Sequence, residues 1–251
     1  MPEKTVRKPP ESLSVLIPVL NEVDTLRPAL ERLLKTDLGI PLDVVVVDDG
    51  STDGSVESIG DLVRAGSVRT ILHPVNRGKG AALRSGIAAA TGDLITVLDA
   101  DLEYDPADYR LMIRAVVDEE AEVVYGTRSF GAHTAFSFWY VIGNRAVSFW
   151  ASFLYNTWLS DLETCFKMAW RDIWQSLDLS ENGFGIEAEV TAKFLLTGRR
   201  IHEVPISYRA RGREEGKKLN WTDGVQALFI LLRIRLLGPR HAVANPPRAG
   251  Q

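Results

Sequence analysis

A single cysteine stands among the 251 residues. An internal disulfide framework is therefore excluded, and Cys165 fits a reducing compartment as a packed thiol rather than a nucleophile. No apolar run reaches the uninterrupted length of a membrane-spanning helix. The two richest windows are Phe136 to Trp158, broken by Asn144, Arg145 and Asn156, and Gly224 to Leu237, which carries Arg233 and Arg235. The four histidines, His73, His133, His202 and His241, show no ligand spacing and read as structural or surface residues. There is no Gly-x-x-x-x-Gly-Lys-Ser/Thr and no Gly-x-Gly-x-x-Gly after a strand, which disfavours the two common phosphate-cradling loops. Met1 to Ser12 holds basic side chains and prolines but no apolar core, so no signal peptide is expected there. Internal repeats and low-complexity segments are also missing. A net charge of −4 argues against nucleic acid as a general partner.

What is present is enough apolar material for one substantial core: 45% of the residues are hydrophobic and 25% charged. Charge is unevenly spread, since Arg199 to Arg240 contains ten basic against four acidic side chains. Such a segment is often a solvated face, but beside a carboxylate centre it also suits a phosphorylated substrate. The aromatic helix expected over Phe136 to Trp158 suits either a membrane interface or packing on the sheet.

Chemistry concentrates where apolar strands end in acids. Leu94 to Leu98 runs into Asp99-Ala100-Asp101, and Asp43 to Val47 runs into Asp48-Asp49-Gly50-Ser51, with Thr52 and Asp53 placed to open a helix. Burying a charge is costly unless it is paired or bound to metal. The strand ends of a parallel sheet lie at the rim where ligands bind, so Asp99 and Asp101 suit a hard divalent cation that grips a diphosphate. A third strand, Ser14 to Ile17, stops at Pro18 before Asn21-Glu22 and a helix marked by Leu26, Leu30, Leu33 and Leu34. A fourth, Val68 to Leu72, leads to Asn76-Arg77-Gly78-Lys79-Gly80 and the Ala-rich segment Ala81 to Ala90. That glycine pair reads either as an anion site at a helix start or as an ordinary helix entry.

Four segments in register, Ile17-Pro18-Val19-Leu20-Asn21-Glu22, Val47-Asp48-Asp49-Gly50-Ser51, Asn76-Arg77-Gly78-Lys79-Gly80 and Leu98-Asp99-Ala100-Asp101-Leu102, resemble the GT-A glycosyltransferases. Three more make the chain similar to dolichol-phosphate mannose synthase and its bacterial polyprenyl-phosphate relatives: Tyr125 to Arg128, Ser160 to Lys167, and Arg209 to Gly212 followed by Lys217-Lys218-Leu219. The resemblance implies an α/β fold: one Rossmann-like GT-A domain over residues 12–237, with a mostly parallel sheet flanked by helices and with C-terminal amphipathic helices. Residues 12–128 would form the nucleotide-sugar half and 129–237 the acceptor half, between a flexible leader (1–11) and a flexible tail (238–251). Position by position, it implies that Pro18, Leu20 and Glu22 line the base pocket and that Val47 and Asp49 complete it. Asp99 and Ala100 would touch nucleoside and diphosphate, with Lys79 also on the donor side. Asp101 and Glu103 would hold Mg2+ or Mn2+, Glu103 standing where the family usually has Gln. Arg128, Arg211 and Lys218 would meet phosphates, Arg128 as a catalytic residue beside Asp101. Asn144 and Arg145, with Arg128, would serve the acceptor.

The implied reaction is metal-dependent transfer of a sugar, with inversion, from a nucleotide sugar to a polyprenyl phosphate. GDP-mannose is favoured over UDP-glucose or a UDP-N-acetylhexosamine. The expected place is the inner face of the cytoplasmic membrane, bound peripherally, with room for a membrane-protein partner. An already ionised lipid phosphate needs no general base, only placement and relief of anion repulsion. Two other readings stand beside it. One is a GT-A enzyme with a soluble acceptor, for which Asp161, Glu163 or Glu187 is available as base. The other is an inactive sugar-nucleotide-binding scaffold, disfavoured by the intact acids.

Overall fold

The structure, a computed structural model, describes residues 7–130, 138–210 and 221–238. Seven strands form one sheet: β1 Leu13–Val19, β2 Leu42–Asp48, β3 Arg69–Leu72, β4 Leu94–Val97, β5 Val123–Thr127, β6 Lys167–Trp170 and β7 Ile201–Pro205. Their spatial order is β3-β2-β1-β4-β6-β5-β7. Pairing is parallel throughout except where β6 runs antiparallel between β4 and β5. In β1, β2, β4 and β5 burial is nearly continuous, the mark of strands covered on both faces; β3 and β7, at the edges, are largely half-exposed.

The helices are α1 Leu26–Lys35, α2 Gly60–Arg64, α3 Lys79–Ala89, α4 Tyr109–Asp118, α5 Phe138–Tyr155, α6 Arg171–Gln175, α7 Ile186–Leu196 and α8 Trp221–Leu237. Leu26, Leu30 and Leu33 turn one stripe of α1 into the core, as their spacing predicts. No helix opens at Thr52 and Asp53. The Asp53 carboxylate instead accepts from Val23 N (2.9 Å) and Ser55 N (3.0 Å), and Gly54 takes φ +87°, outside the helical region. Helical structure resumes with a short 3-10 turn at Glu57–Ile59. At the leader, Arg7 is tied down, its guanidinium donating to both Asp172 oxygens (2.9 and 2.8 Å) and lying over the Trp170 ring.

Two cores result. One fills both sides of the sheet, and the other, smaller one joins α5, α7 and α8 through Val147, Ala151, Ala188, Ala192, Ala227 and Leu231. The chain leaves β1 for β2 and β3, then returns to place β4 on the other side of β1. That reversal opens a crevice beyond the carboxyl ends of β1 and β4, where open α/β sheets bind ligands. Because β6 is antiparallel, its N-terminal residue Lys167 pairs with Tyr125 near the end of β5. The loop before β6, residues 160–166, is thereby delivered to the same rim.

Candidate active site

On the β1–β2 side, side-chain oxygens grip backbone N–H groups. Asn21, at φ +54°, donates its N–H to Ser51 Oγ and accepts from Thr52 N, both at 2.9 Å. Glu22 N donates to Ser55 Oγ (2.9 Å), and its carboxylate accepts from Thr25 Oγ1 (2.8 Å). Pro18 lies opposite Val47 in the ladder, and Pro18 and Leu20 are half-buried above it. Asp49 is buried: it accepts from Gly78 N (2.6 Å) and Arg77 N (3.0 Å) and hydrogen-bonds His73 Nδ1 at 2.6 Å. Ser85 Oγ lies 2.9 Å from His73 Nε2. The expected base-pocket residues thus share one rim, with Asp49 engaged in holding the loop to α3.

The start of α3 is not an anion site. Gly80 N and Ala81 N both donate to the Asn182 carbonyl, at 2.6 and 3.3 Å. A Cβ on Gly78 or Gly80 would stand 2.3 or 2.2 Å from the carbonyl oxygen of Asn182 or Glu181. These glycines admit a neighbouring loop, the ordinary helix entry that the sequence also allowed. Lys79 turns instead to the acids, its ammonium 2.9 Å from Asp99 and 3.3 Å from Glu187. Burial works against that charge, but Asp99 and Glu187 outweigh it and hold the ammonium well above its ordinary range.

Beyond Asp99 the chain turns sharply at Leu102 (φ +64°), a conformation uncommon outside glycine. The turn brings Glu103 N to Asp101 Oδ1 at 3.1 Å. The Tyr208 hydroxyl donates to the Glu103 carboxylate, Arg209 N donates to Glu103 O (2.9 Å), and Tyr104 bridges to Tyr208. The segment entering residues 211–220 is thereby pinned to the acid pair; Arg211 and Lys218 themselves lie outside the described residues. Asp101 and Glu103 present carboxylate oxygens of the hard kind that could hold Mg2+ or Mn2+, and no cluster of three metal-binding side chains occurs among the described residues. An ion there would take most of its shell from diphosphate oxygens and water, which suits either metal.

On the β5–β6 side the rim is made of ion pairs. Arg128 Nε and Nη2 each donate at 2.7 Å to the fully buried Asp161, whose Oδ2 also accepts from Arg128 N (3.0 Å). Burial opposes both charges. The pairing wins, raising the guanidinium further and holding the Asp161 carboxyl below its usual range. Asn144 Nδ2 donates to Asp161 Oδ1 at 2.9 Å, leaving a buried Oδ1 with no partner. Arg145, one residue on, is exposed. Lys167 is buried and donates to Leu162 O (2.9 Å), to Thr164 O and to Glu187. Lys167 and Glu187 in these roles were not legible in the sequence; an acid among Ile186, Ala188 and Val190 was the available signal.

Residues 14–175 match Glycosyl transferase family 2, and the chain belongs to that family. Over 120 residues it is 33% identical to the dodecaprenyl-phosphate galacturonate synthase of Rhizobium johnstonii, covering 46% of this chain and 36% of that protein. Over 111 residues it is 33% identical to the uncharacterized glycosyltransferase YibD of Escherichia coli, covering 44% of this chain and 32% of that one. The matches thus span about a third of those relatives. Among solved structures, the glucosyl-3-phosphoglycerate synthase of Mycobacterium tuberculosis superposes with a TM-score of 0.67 at 22% identity, covering 90% of this chain and 80% of that one. The mannosyltransferase PcManGT of Pyrobaculum calidifontis, in complex with GDP-Man and Mn2+, gives 0.60 at 19% identity, covering 91% and 61%. These likenesses establish the α/β GT-A fold.

Proposed function

We propose that this chain transfers a sugar from a nucleotide sugar to a polyprenyl phosphate at a membrane surface, inverting the anomeric centre with a divalent ion held by Asp101 and Glu103. The observation that carries the reading is one helix with two faces. Asn144 of α5 enters the ion-pair centre, while Phe138, Phe149 and Phe153 of the same helix, and Trp158 just beyond it, stand exposed. Helix α8 adds a second exposed stripe, Val225, Phe229 and Leu236, and is tied to α5 through Trp150 Nε1 to Leu228 O (3.2 Å) and Tyr155 Oη to Leu231 O (2.9 Å). Exposed apolar side chains on two packed helices, one of which also reaches the Arg128–Asp161 pair, suit an acceptor whose tail stays in a bilayer. Among the described residues no helix is long and apolar enough to cross a membrane, so attachment would be interfacial. The name of the Rhizobium relative, a dodecaprenyl-phosphate galacturonate synthase, supports the same acceptor class.

The chain's own groups have definite tasks in this scheme. Asp99, held by Lys79, and the Pro18–Val47 rim receive the nucleotide. Asp161 holds Arg128 through Nε and Nη2, so that Nη1 is the donor left for a phosphate, and the acceptor oxyanion attacks without a general base. A divalent ion held by Asp101 and Glu103 would supply charge neutralisation for the diphosphate leaving group. GDP-mannose and UDP-hexoses are the donors to compare, because related folds are solved with GDP-Man and with UDP, each with Mn2+. Incubating purified protein with a panel of nucleotide sugars, Mg2+ or Mn2+ and polyprenyl phosphate tests the proposal; no glycolipid with any donor would overturn it. A soluble phosphorylated acceptor is the second reading, favoured by the Mycobacterium tuberculosis complex with phosphoglyceric acid. The same panel with that acceptor separates the two.

A further inference from the structure

The ion-pair centre holds one more carboxyl than its cations satisfy. Arg128 is taken by Asp161, Lys167 by Glu187 and two carbonyls, and Lys79 by Asp99 and Glu187. Glu163 lies in the same loop, two residues from Asp161, and makes no hydrogen bond or ion pair among the described residues. Its flanking residues Leu162 and Thr164 are buried, their carbonyls bound by the Lys167 ammonium, whereas Glu163 is half-buried. The loop is fixed from the other side by Glu203, which accepts from Ser160 N (3.0 Å) and Asp161 N (3.3 Å). An unpartnered carboxyl on a rigid loop, with every nearby cation among the described residues engaged elsewhere, is most stable carrying a proton.

We propose that Glu163 serves the site as a neutral carboxylic acid, its hydroxyl donating a hydrogen bond to an oxygen of the acceptor phosphate beside Arg128. This rests on the phosphate-acceptor reading above. As a carboxylate Glu163 would repel the phosphate, and as a base it would have no proton to remove from an ionised acceptor. The groups facing it are Lys167 of β6, Glu187 of α7, Arg128 at the end of β5 and Asp161 of its own loop. Burial, with the like charges of Glu187 and Asp161, pushes the Glu163 carboxyl up to about 7 against the pull of Lys167 and Arg128. Activity therefore falls on the alkaline side as Glu163 ionises.

The test compares wild type with Glu163→Gln, which keeps a donor and cannot ionise. The Gln variant is expected to turn over several-fold more slowly in mild acid, and to lose the alkaline decline in kcat/KM. A loss of 100-fold or more at every pH, with the profile shape gone, would assign Glu163 as a base and overturn the proposal; so would an alkaline decline identical to wild type. A second arm needs no substrate. Infrared difference spectra of wild type between about pH 6 and pH 8 should show a protonated-carboxyl stretch that disappears in Glu163→Gln, and its absence from wild type would overturn the proposal. If no acceptor is glycosylated while that band is present, the functional reading fails and the neutral carboxyl stands.

Discussion

The two sides of the rim are held together by different chemistry. On the β1–β2 side, carboxylates and hydroxyls satisfy themselves on backbone N–H groups, as Asp49 does with Arg77 and Gly78 and Asp53 with Val23 and Ser55. On the β5–β6 side, buried charges satisfy one another: Arg128 with Asp161, and Lys167 with Glu187. A carboxylate that accepts from backbone N–H groups keeps those donors when a neighbouring side chain is replaced, as Asp49 would beside His73. In a buried ion pair, removing one partner strands the other in a medium that solvates it poorly. Substitutions should therefore act locally on the first side and propagate on the second.

The largest effect is expected at Asp101, the first acid of the proposed metal site. Asp101→Ala should lower transfer by about 1,000-fold or more, with melting nearly unchanged, because a partly exposed rim acid contributes little to folding. A chelator should abolish activity, and Mg2+ or Mn2+ should restore it; full turnover by metal-stripped protein would remove Asp101 and Glu103 from a metal role.

Next comes the comparison itself. Asp161→Asn, which leaves Arg128 without its counter-charge, should cost about 3 kcal/mol in urea unfolding. Asp49→Asn retains an oxygen acceptor for the Arg77 and Gly78 N–H groups and should cost only about 1 kcal/mol. Equal losses would erase the distinction between the two sides.

A smaller effect concerns the outer faces. Replacing Phe149, Phe153 and Phe229 together by Ser should weaken co-sedimentation with anionic liposomes by about 10-fold while sparing transfer to a short water-soluble polyprenyl phosphate. Unchanged sedimentation would return the helices to a purely structural role. Trp150 is left out because it faces α8.

The smallest effect is on pH and stability. The Glu163 carboxyl is raised from 4.5 to about 7, so its contribution is present below 4.5 and lost as pH rises through about 7. Urea midpoints of wild type should thus drop relative to Glu163→Gln over that window. Asp161 has the opposite sign: its carboxyl is held below 3.8, and its contribution is lost only as pH falls through that lowered value. A wild-type midpoint that rises relative to the Gln variant between pH 5 and 8 would contradict the sign for Glu163.

The legible parts were those with local causes. Apolar runs ending in Asp48-Asp49 and Asp99-Ala100-Asp101 marked β2, β4 and the rim, and Leu26, Leu30 and Leu33 marked the inner stripe of α1. Where a distant segment intervened, local patterns did not decide the outcome. Gly78 and Gly80 carry the pattern of an anion-binding helix start, but Asn182, a hundred residues on, takes the Gly80 N–H. Thr52 and Asp53 carry the pattern of a helix cap, but Val23 draws on the Asp53 carboxylate and Gly54 leaves the helical region.

Sequence alone determined which residues could carry the chemistry, because a charge at the end of a buried strand is tolerated only where solvent, a metal or a partner receives it. It also determined the family, through motifs whose order and spacing survive in one dimension. Tertiary structure alone decided which charges meet. The direction of β6 is the reason: running antiparallel between β4 and β5, it brings the 160–166 loop to the acid-bearing rim. Strand polarity arises from how the whole sheet closes, so it left no local trace in the chain. It placed Asp161 against Arg128 and left Glu163 with no ion pair among the described residues.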